Sequence, residues 1–213
     1  MPSDLPVSPA RLAVLISGSG TNLQALLDAI AADDGFGAEV VVVASDVREA
    51  PGLDRARKAG IATAVHPLAR GDDRVAWEAA LAEDLVANGV DVVVLAGFMR
   101  ILSGAFLARW PDRVINTHPS LLPAFRGARA VPDALAYGVK VTGSTVHLVD
   151  EVVDHGPIIA QEVVEVRYGD TETALHERIK VVEHRLLPAC VKLLCNGRLQ
   201  VHGRHVRILE EEL

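Results

Sequence analysis

The chain has 213 residues, half of them hydrophobic and 23% charged, with a formal net charge of −7 at pH 7. That length suffices for one large domain with a buried core, and no apolar run reaches membrane-spanning length. The acidic balance argues against a broad nucleic-acid-binding surface, while leaving room for a local basic pocket that grips an anionic small molecule.

Residues 1–10, MPSDLPVSPA, have neither the basic start nor the apolar core of a secretory signal and read as a disordered tail. Arg11 to Ser17 follows as a buried strand, Gly18-Ser19-Gly20 as a tight turn, and Asn22 to Ala32 as a helix with Leu23, Leu26, Leu27 and Ile30 on its apolar face. A glycine-rich turn that opens a helix presents unpaired backbone N–H groups in the positive field of the helix dipole. Ser19, Gly20, Thr21 and Asn22 are therefore candidate phosphate binders. Neither familiar nucleotide fingerprint is complete: Leu23 stands where the dinucleotide motif needs its third glycine, and no Gly-Lys-Ser/Thr follows. A monophosphate ester is the better match, and a strand-to-helix connection without a ligand is the competing reading.

Val40 to Ala44, Ala62 to Val65 and Val92 to Ala96 read as further buried strands, with helices over Gly52 to Lys58 and Arg74 to Ala87 between them. Val114 to Asn116 is the expected fifth strand. Short apolar strands alternating with helices predict an α/β fold with a Rossmann-like, doubly wound, mostly parallel sheet covered on both faces. The pattern then changes. Val141 to Val149 and Ile158 to Val166 suggest an antiparallel pair, Thr171 to Leu194 a long helix kinked or interrupted at Pro188, and two short C-terminal strands a hairpin around Gly203. Cys190 and Cys195 lie five residues apart on that helix, and reduced thiols in a cytoplasmic protein are expected.

The fifth strand runs into Asn116-Thr117-His118-Pro119-Ser120-Leu121-Leu122-Pro123. Positions i and i+2 of a strand project to one side, so Asn116 and His118 can aim an amide N–H and an imidazolium at one carbonyl oxygen that gains negative charge. A capping asparagine and a packed histidine would explain the same residues equally well. Asp154, in the turn Asp154-His155-Gly156-Pro157, would orient His118 and favour its protonated form if its carboxylate reaches the ring. Ordinary turn chemistry is the alternative there. His147 and His155 raise the question of a metal, but no His or Cys pair has zinc-ligand spacing, and no metal is expected. Serine and cysteine nucleophile motifs are also missing, which favours direct group transfer.

Four ordered segments resemble the folate-dependent formyltransferase family. They are Ile16 to Gln24, Leu95 to Leu102, Asn116 to Pro123, and Gly143 to His147 followed by Asp154 to Pro157. The resemblance spans about Arg11 to Arg198 and is strongest to the purine-synthesis branch. It implies a formyltransferase fold over 11–213, with a phosphate-binding half at 11–112 and a catalytic and folate-binding half at 113–213. The implied reaction moves a formyl group from 10-formyltetrahydrofolate to the glycyl amine of glycinamide ribonucleotide (5'-phosphoribosylglycinamide). Asn116, His118 and Asp154 would be catalytic, Gly20, Thr21 and Asn22 would hold the phosphate, and Glu183 would meet the ribose or glycinamide end. Met99, Ile101 and Leu102 would line a pterin slot, with Arg100 and Arg74 as candidates for polar or carboxylate contacts. Implied partners are the ribonucleotide and a reduced folate, without nucleic acid or membrane. Family members include monomers and dimers, which leaves a homodimer open. Hydrolysis of the formyl folate is the first alternative, and a non-catalytic nucleotide-binding module the second. One departure stands out: Val131 occupies the place of a histidine usual in the loop after the catalytic segment.

Overall fold

The computed structural model describes residues 9–209. Its first half alternates strand and helix: β1 (Ala10–Ile16), α1 (Thr21–Ala31), β2 (Ala38–Ser45), α2 (Gly52–Lys58), β3 (Ala62–Val65), α3 (Arg74–Ala87), β4 (Val92–Leu95), a one-turn α4 (Gly104–Leu107) and β5 (Val114–His118). The second half contains α5 (Ala130–Tyr137), β6 (Val141–Leu148), β7 (Ile158–Glu165), α6 (Glu172–Cys195), β8 (Leu199–His202) and β9 (His205–Ile208). The strands join in one sheet ordered β3-β2-β1-β4-β5-β6-β7-β9-β8. From β3 to β5 every pairing is parallel, and β5–β6–β7 is antiparallel. The C-terminal hairpin β8–β9 joins β7 through a parallel contact of Ile158 with His205.

The parallel strands read as unbroken apolar runs because both faces are covered. In β1, Leu12, Val14 and Ile16 pack with Leu23 and Leu26 of α1 and with Leu187 and Val191 of α6. Ala13 and Leu15 point the other way, toward Trp77, Leu81 and Leu85 of α3. The Asp73 side chain caps α3 by accepting the N–H groups of Val75 and Ala76, and Thr171 caps α6 by accepting that of Ala174. Cys190 and Cys195 share one buried apolar cluster, and burial pushes both thiols up to about 12. Among the described residues, no helix is long and apolar enough to cross a membrane.

Several expected boundaries shift. Most of the expected tail lies outside the described residues, but Ala10 already belongs to β1 and is buried. β5 continues through His118, so Thr117 and His118 pair with Val146 and Thr145 of β6. α6 runs through Pro188 without the expected interruption, since Leu187, Pro188 and Val191 are all buried against the sheet. Two helices were not visible in the sequence. α4 is a single turn capped by Ser103, and α5 is short and carries Pro132 in its first turn, where a missing N–H is not needed.

Strand order reverses between β2 and β4, on either side of β1. In doubly wound sheets such a point opens a crevice at the carboxyl ends of the strands. The turns after β1, β4 and β5 all leave the sheet at that end.

Candidate active site

A cavity of about 540 Å³ occupies this crevice, lined by the turn after β1, the segment after β4, the end of β5 and the β6–β7 loop. Its first wall is the glycine turn. Gly20 has a left-handed backbone (φ 67°), and a Cβ there would come within 2.7 Å of the Gly52 Cα, so the glycine also permits close approach of α2. No side chain caps α1 and its first turn holds no acidic residue, which leaves its N-terminal N–H groups suited to an anion. The Arg55 guanidinium adds positive charge beside this turn, donating from Nε to the Ser19 carbonyl at 2.8 Å.

Glu183 of α6 faces the same turn. Asn22 donates through Nδ2 to its Oε2 at 3.2 Å, and Thr117 through Oγ1 to its Oε1 at 3.5 Å. The glutamate is only 4% exposed, and burial raises its carboxyl above the usual value against the pull of these two bonds. A solvated helix carboxylate is therefore excluded. The Asn22 Oδ1 is buried with no partner among the described residues, an acceptor a ligand hydroxyl or amide could satisfy.

Asn116 and His118 both line the cavity, as their i, i+2 spacing predicts. His118 Nε2 lies 2.8 Å from the Phe125 carbonyl, and Nδ1 lies 3.4 Å from Asp154 Oδ2. Both ring nitrogens thus face acceptors, an environment satisfied by an imidazolium with two N–H donors. The same Asp154 oxygen accepts the Gly127 N–H at 2.7 Å, which ties the loop after β5 to the β6–β7 loop. Asp154 adopts a left-handed backbone with φ 48°, a conformation Asp tolerates better than most residues. The loop after His118 is anchored further by Thr145, whose hydroxyl donates to Ser120 O and accepts from Leu122 N.

His147 completes the cluster. Its Nδ1–H donates to Leu148 O at 2.8 Å, which leaves Nε2 to accept Asn116 Nδ2–H at 3.1 Å. Burial is the largest influence on this ring and holds it below the ordinary histidine value, against the pull of the Leu148 carbonyl and of Asp154. A neutral His147 thus orients the Asn116 amide, while His118 sits between two acceptors.

At the far wall, Met99, Arg100, Ile101 and Leu102 line the cavity, and Met99 and Ile101 are 65% and 58% exposed. Arg74 does not line it. Its guanidinium donates to the Ile101 carbonyl and braces the segment from behind. Arg100 reaches the wall, but its Nε donates to Asp46 at 2.6 Å and its Nη2 to Leu68 O at 3.2 Å. Val131 is buried and packs with Leu175, Ile179 and Val182, anchoring α5 on α6.

The structure thus brings Asn116, His118, Asp154, Ser19, Gly20, Thr21, Asn22, Glu183 and Met99 to Leu102 to one cavity, with Arg74 behind its wall. Residue reasoning missed Thr117, His176, Lys180, Asp150, Val152 and Val153, which line it too, and raised His147, also in the lining, only as a possible metal ligand. Lys180 carried a readable signal, since it precedes Glu183 by three on a helix and shares its face. His147 did not, because only the β5–β6 register places it opposite Asn116. Among the described residues no group of three or more His, Cys, Asp or Glu side chains could hold a metal ion.

The chain is 51% identical over 199 residues to the phosphoribosylglycinamide formyltransferase of Mycobacterium tuberculosis, covering 93% of this chain and 91% of that protein. It is 47% identical over 206 residues to the human trifunctional purine biosynthetic protein adenosine-3, covering 95% of this chain and 20% of that longer one. Among solved structures, glycinamide ribonucleotide transformylase 1 from Symbiobacterium toebii superposes with a TM-score of 0.92 at 49% identity, covering 98% of each chain. The sequence profile described as formyl transferase matches residues 10–191, and on these grounds the chain belongs to the formyl transferase family.

Proposed function

We propose that this enzyme transfers a formyl group from 10-formyltetrahydrofolate to the glycyl amine of 5'-phosphoribosylglycinamide, giving formylglycinamide ribonucleotide and tetrahydrofolate in purine biosynthesis. The observation that carries this reading is the convergence of Asn116, His118 and Asp154 in the same cavity as the phosphate-suited turn.

The amine lone pair attacks the formyl carbon, a C–N bond forms, and the carbonyl electrons move to oxygen. The Asn116 amide and the protonated His118 ring stabilise that oxyanion, and one preorganised donor contributes about 10²–10³ in rate. The His118 Nε2–H is engaged by the Phe125 carbonyl, so that bond is shared with or surrendered to the oxyanion as charge develops. Asp154 holds the imidazolium and assists the proton on its way from the attacking nitrogen to N10 of the folate. The C–N10 bond then breaks, N10 keeps the electron pair, and the carbonyl re-forms. Assistance of this kind contributes about 10²–10⁴. Alignment of the two substrates supplies much of the rest.

In this reading the ribonucleotide phosphate lies on the N–H groups of Gly20, Thr21 and Asn22, with Lys180 and Arg55 adding positive charge nearby. Glu183 and the unpartnered Asn22 oxygen meet the ribose or glycinamide polar groups. The folate-derived donor lies along Met99 to Leu102, toward the Asp150–Val153 stretch. An absorbance assay with a 10-formyl folate donor, with and without glycinamide ribonucleotide, tests the reading. Acceptor-dependent formation of tetrahydrofolate is expected, and formyl loss to water without the acceptor would replace transfer by hydrolysis.

A further inference from the structure

The donor segment after β4 is pinned at its ends by the buried side chains of Phe98 and Leu102, but between them Met99 and Ile101 are both more than half exposed. Hydrogen bonds from the ends of β1 and β2 hold the backbone of this exposed stretch. Ser17, just after β1, donates its backbone N–H to Gly97 O at 3.1 Å, and its Oγ accepts the Met99 N–H at 2.9 Å. The Ser17 hydroxyl proton then points to Asp46 Oδ1 at 2.5 Å. Asp46, the first residue beyond β2, accepts Arg100 Nε–H on its other oxygen at 2.6 Å. Its side chain is 3% exposed against 33% for Arg100, so one carboxylate at the strand reversal fixes two successive residues of the donor wall. It also neutralises the charge that Arg100 would otherwise present to the cavity. A charge this buried, with both oxygens engaged by charge-assisted bonds, is costly to leave without its partner.

We propose that Asp46 is a positioning residue for the formyl donor, acting through Arg100 and through the Ser17 hydroxyl to set the Met99–Arg100 backbone against which the folate heterocycle rests. This assigns Arg100 to bracing the wall rather than to a folate carboxylate. The inference rests on reading Met99 to Leu102 as the donor pocket.

The test is steady-state kinetics of Asp46→Asn, Ser17→Ala, Arg100→Leu and the Asp46→Asn/Arg100→Leu double variant, with each substrate varied in turn. The Michaelis constant for the 10-formyl folate is expected to rise about tenfold in Asp46→Asn, about 1.4 kcal/mol, and about threefold in Ser17→Ala, while that for the ribonucleotide stays within about twofold. The double variant is expected to be no worse than the poorer single variant, because both changes remove one interaction. Equal changes in the two constants, or strictly additive effects in the double variant, would overturn the proposal. Should Asp46→Asn fail to fold, Ser17→Ala decides, since it keeps the charge pair and removes only the relay to Met99. Equilibrium binding of tetrahydrofolate separates the two layers of the argument. Wild-type protein that binds no reduced folate overturns the donor-pocket reading and this inference with it; wild-type binding that Asp46→Asn leaves unchanged overturns this inference alone.

Discussion

At the end of the cleft proposed for the phosphate, the atoms facing the cavity are helix N–H groups and a buried glutamate, whereas at the end proposed for the donor they belong to a loop whose Met99 and Ile101 side chains stand largely in solvent. The first is fixed by the fold itself: Gly20 touches Gly52, Asn22 bonds Glu183, and α1 packs on the sheet. The second is anchored at its ends by buried Phe98 and Leu102 and held between them by a few long-range polar bonds from Ser17, Asp46 and Arg74. Substitutions at the phosphate end should therefore disturb stability and ribonucleotide binding together. Those at the donor end should disturb donor affinity with the fold intact. Asn116 and His118 lie between the two, on the seam where parallel strands give way to antiparallel ones, and Asp154 reaches His118 from the β6–β7 loop.

The seam should give the largest effect. His118→Ala is expected to lower kcat by about 10²–10³ with little change in donor binding, measured by turnover beside folate titration. Equal losses in both would make His118 a structural residue. At the phosphate end, Gly20→Ala should cost about 1–3 kcal/mol in urea denaturation without any ligand, through the left-handed backbone and the Gly52 contact. Unchanged stability would break the idea that the fold fixes this end. Asn22→Ala should raise the ribonucleotide Michaelis constant about tenfold, because it removes both the Glu183 bond and the free buried oxygen. A shift confined to the folate constant would exchange the two ends. Met99→Ala should have the smallest effect, raising the donor constant by less than about threefold, since little of the side chain is buried.

Acid titration sharpens the contrast through stability alone. Burial lowers His147 below its ordinary 6.5, so the unfolded chain takes up that proton first and stability falls as pH drops below 6.5. Burial raises Glu183 above its ordinary 4.5, so its contribution is complete below 4.5 and is lost as pH rises through the raised value. The two oppose each other on the acid side. Glu183→Gln should therefore steepen the loss of stability on the acid side relative to wild type, read from urea midpoints taken from pH 7.5 down to pH 4.5. An unchanged slope would mean that Glu183 titrates alike in the folded and unfolded chains.

Local pattern was enough for the alternating strands and helices, for the glycine turn at Gly18 to Gly20, and for Asn116 and His118 sharing one side of a strand. Apolar periodicity, turn chemistry and residue type are near-neighbour properties and can be read along the chain. Strand order, the β5–β6 register that sets His147 opposite Asn116, the reach of Asp154 to both Gly127 and His118, and the engagement of Arg100 by Asp46 were decided only in three dimensions. The side-chain meetings among these join residues 25 or more positions apart and depend on which helix covers which face and where each turn leaves the sheet.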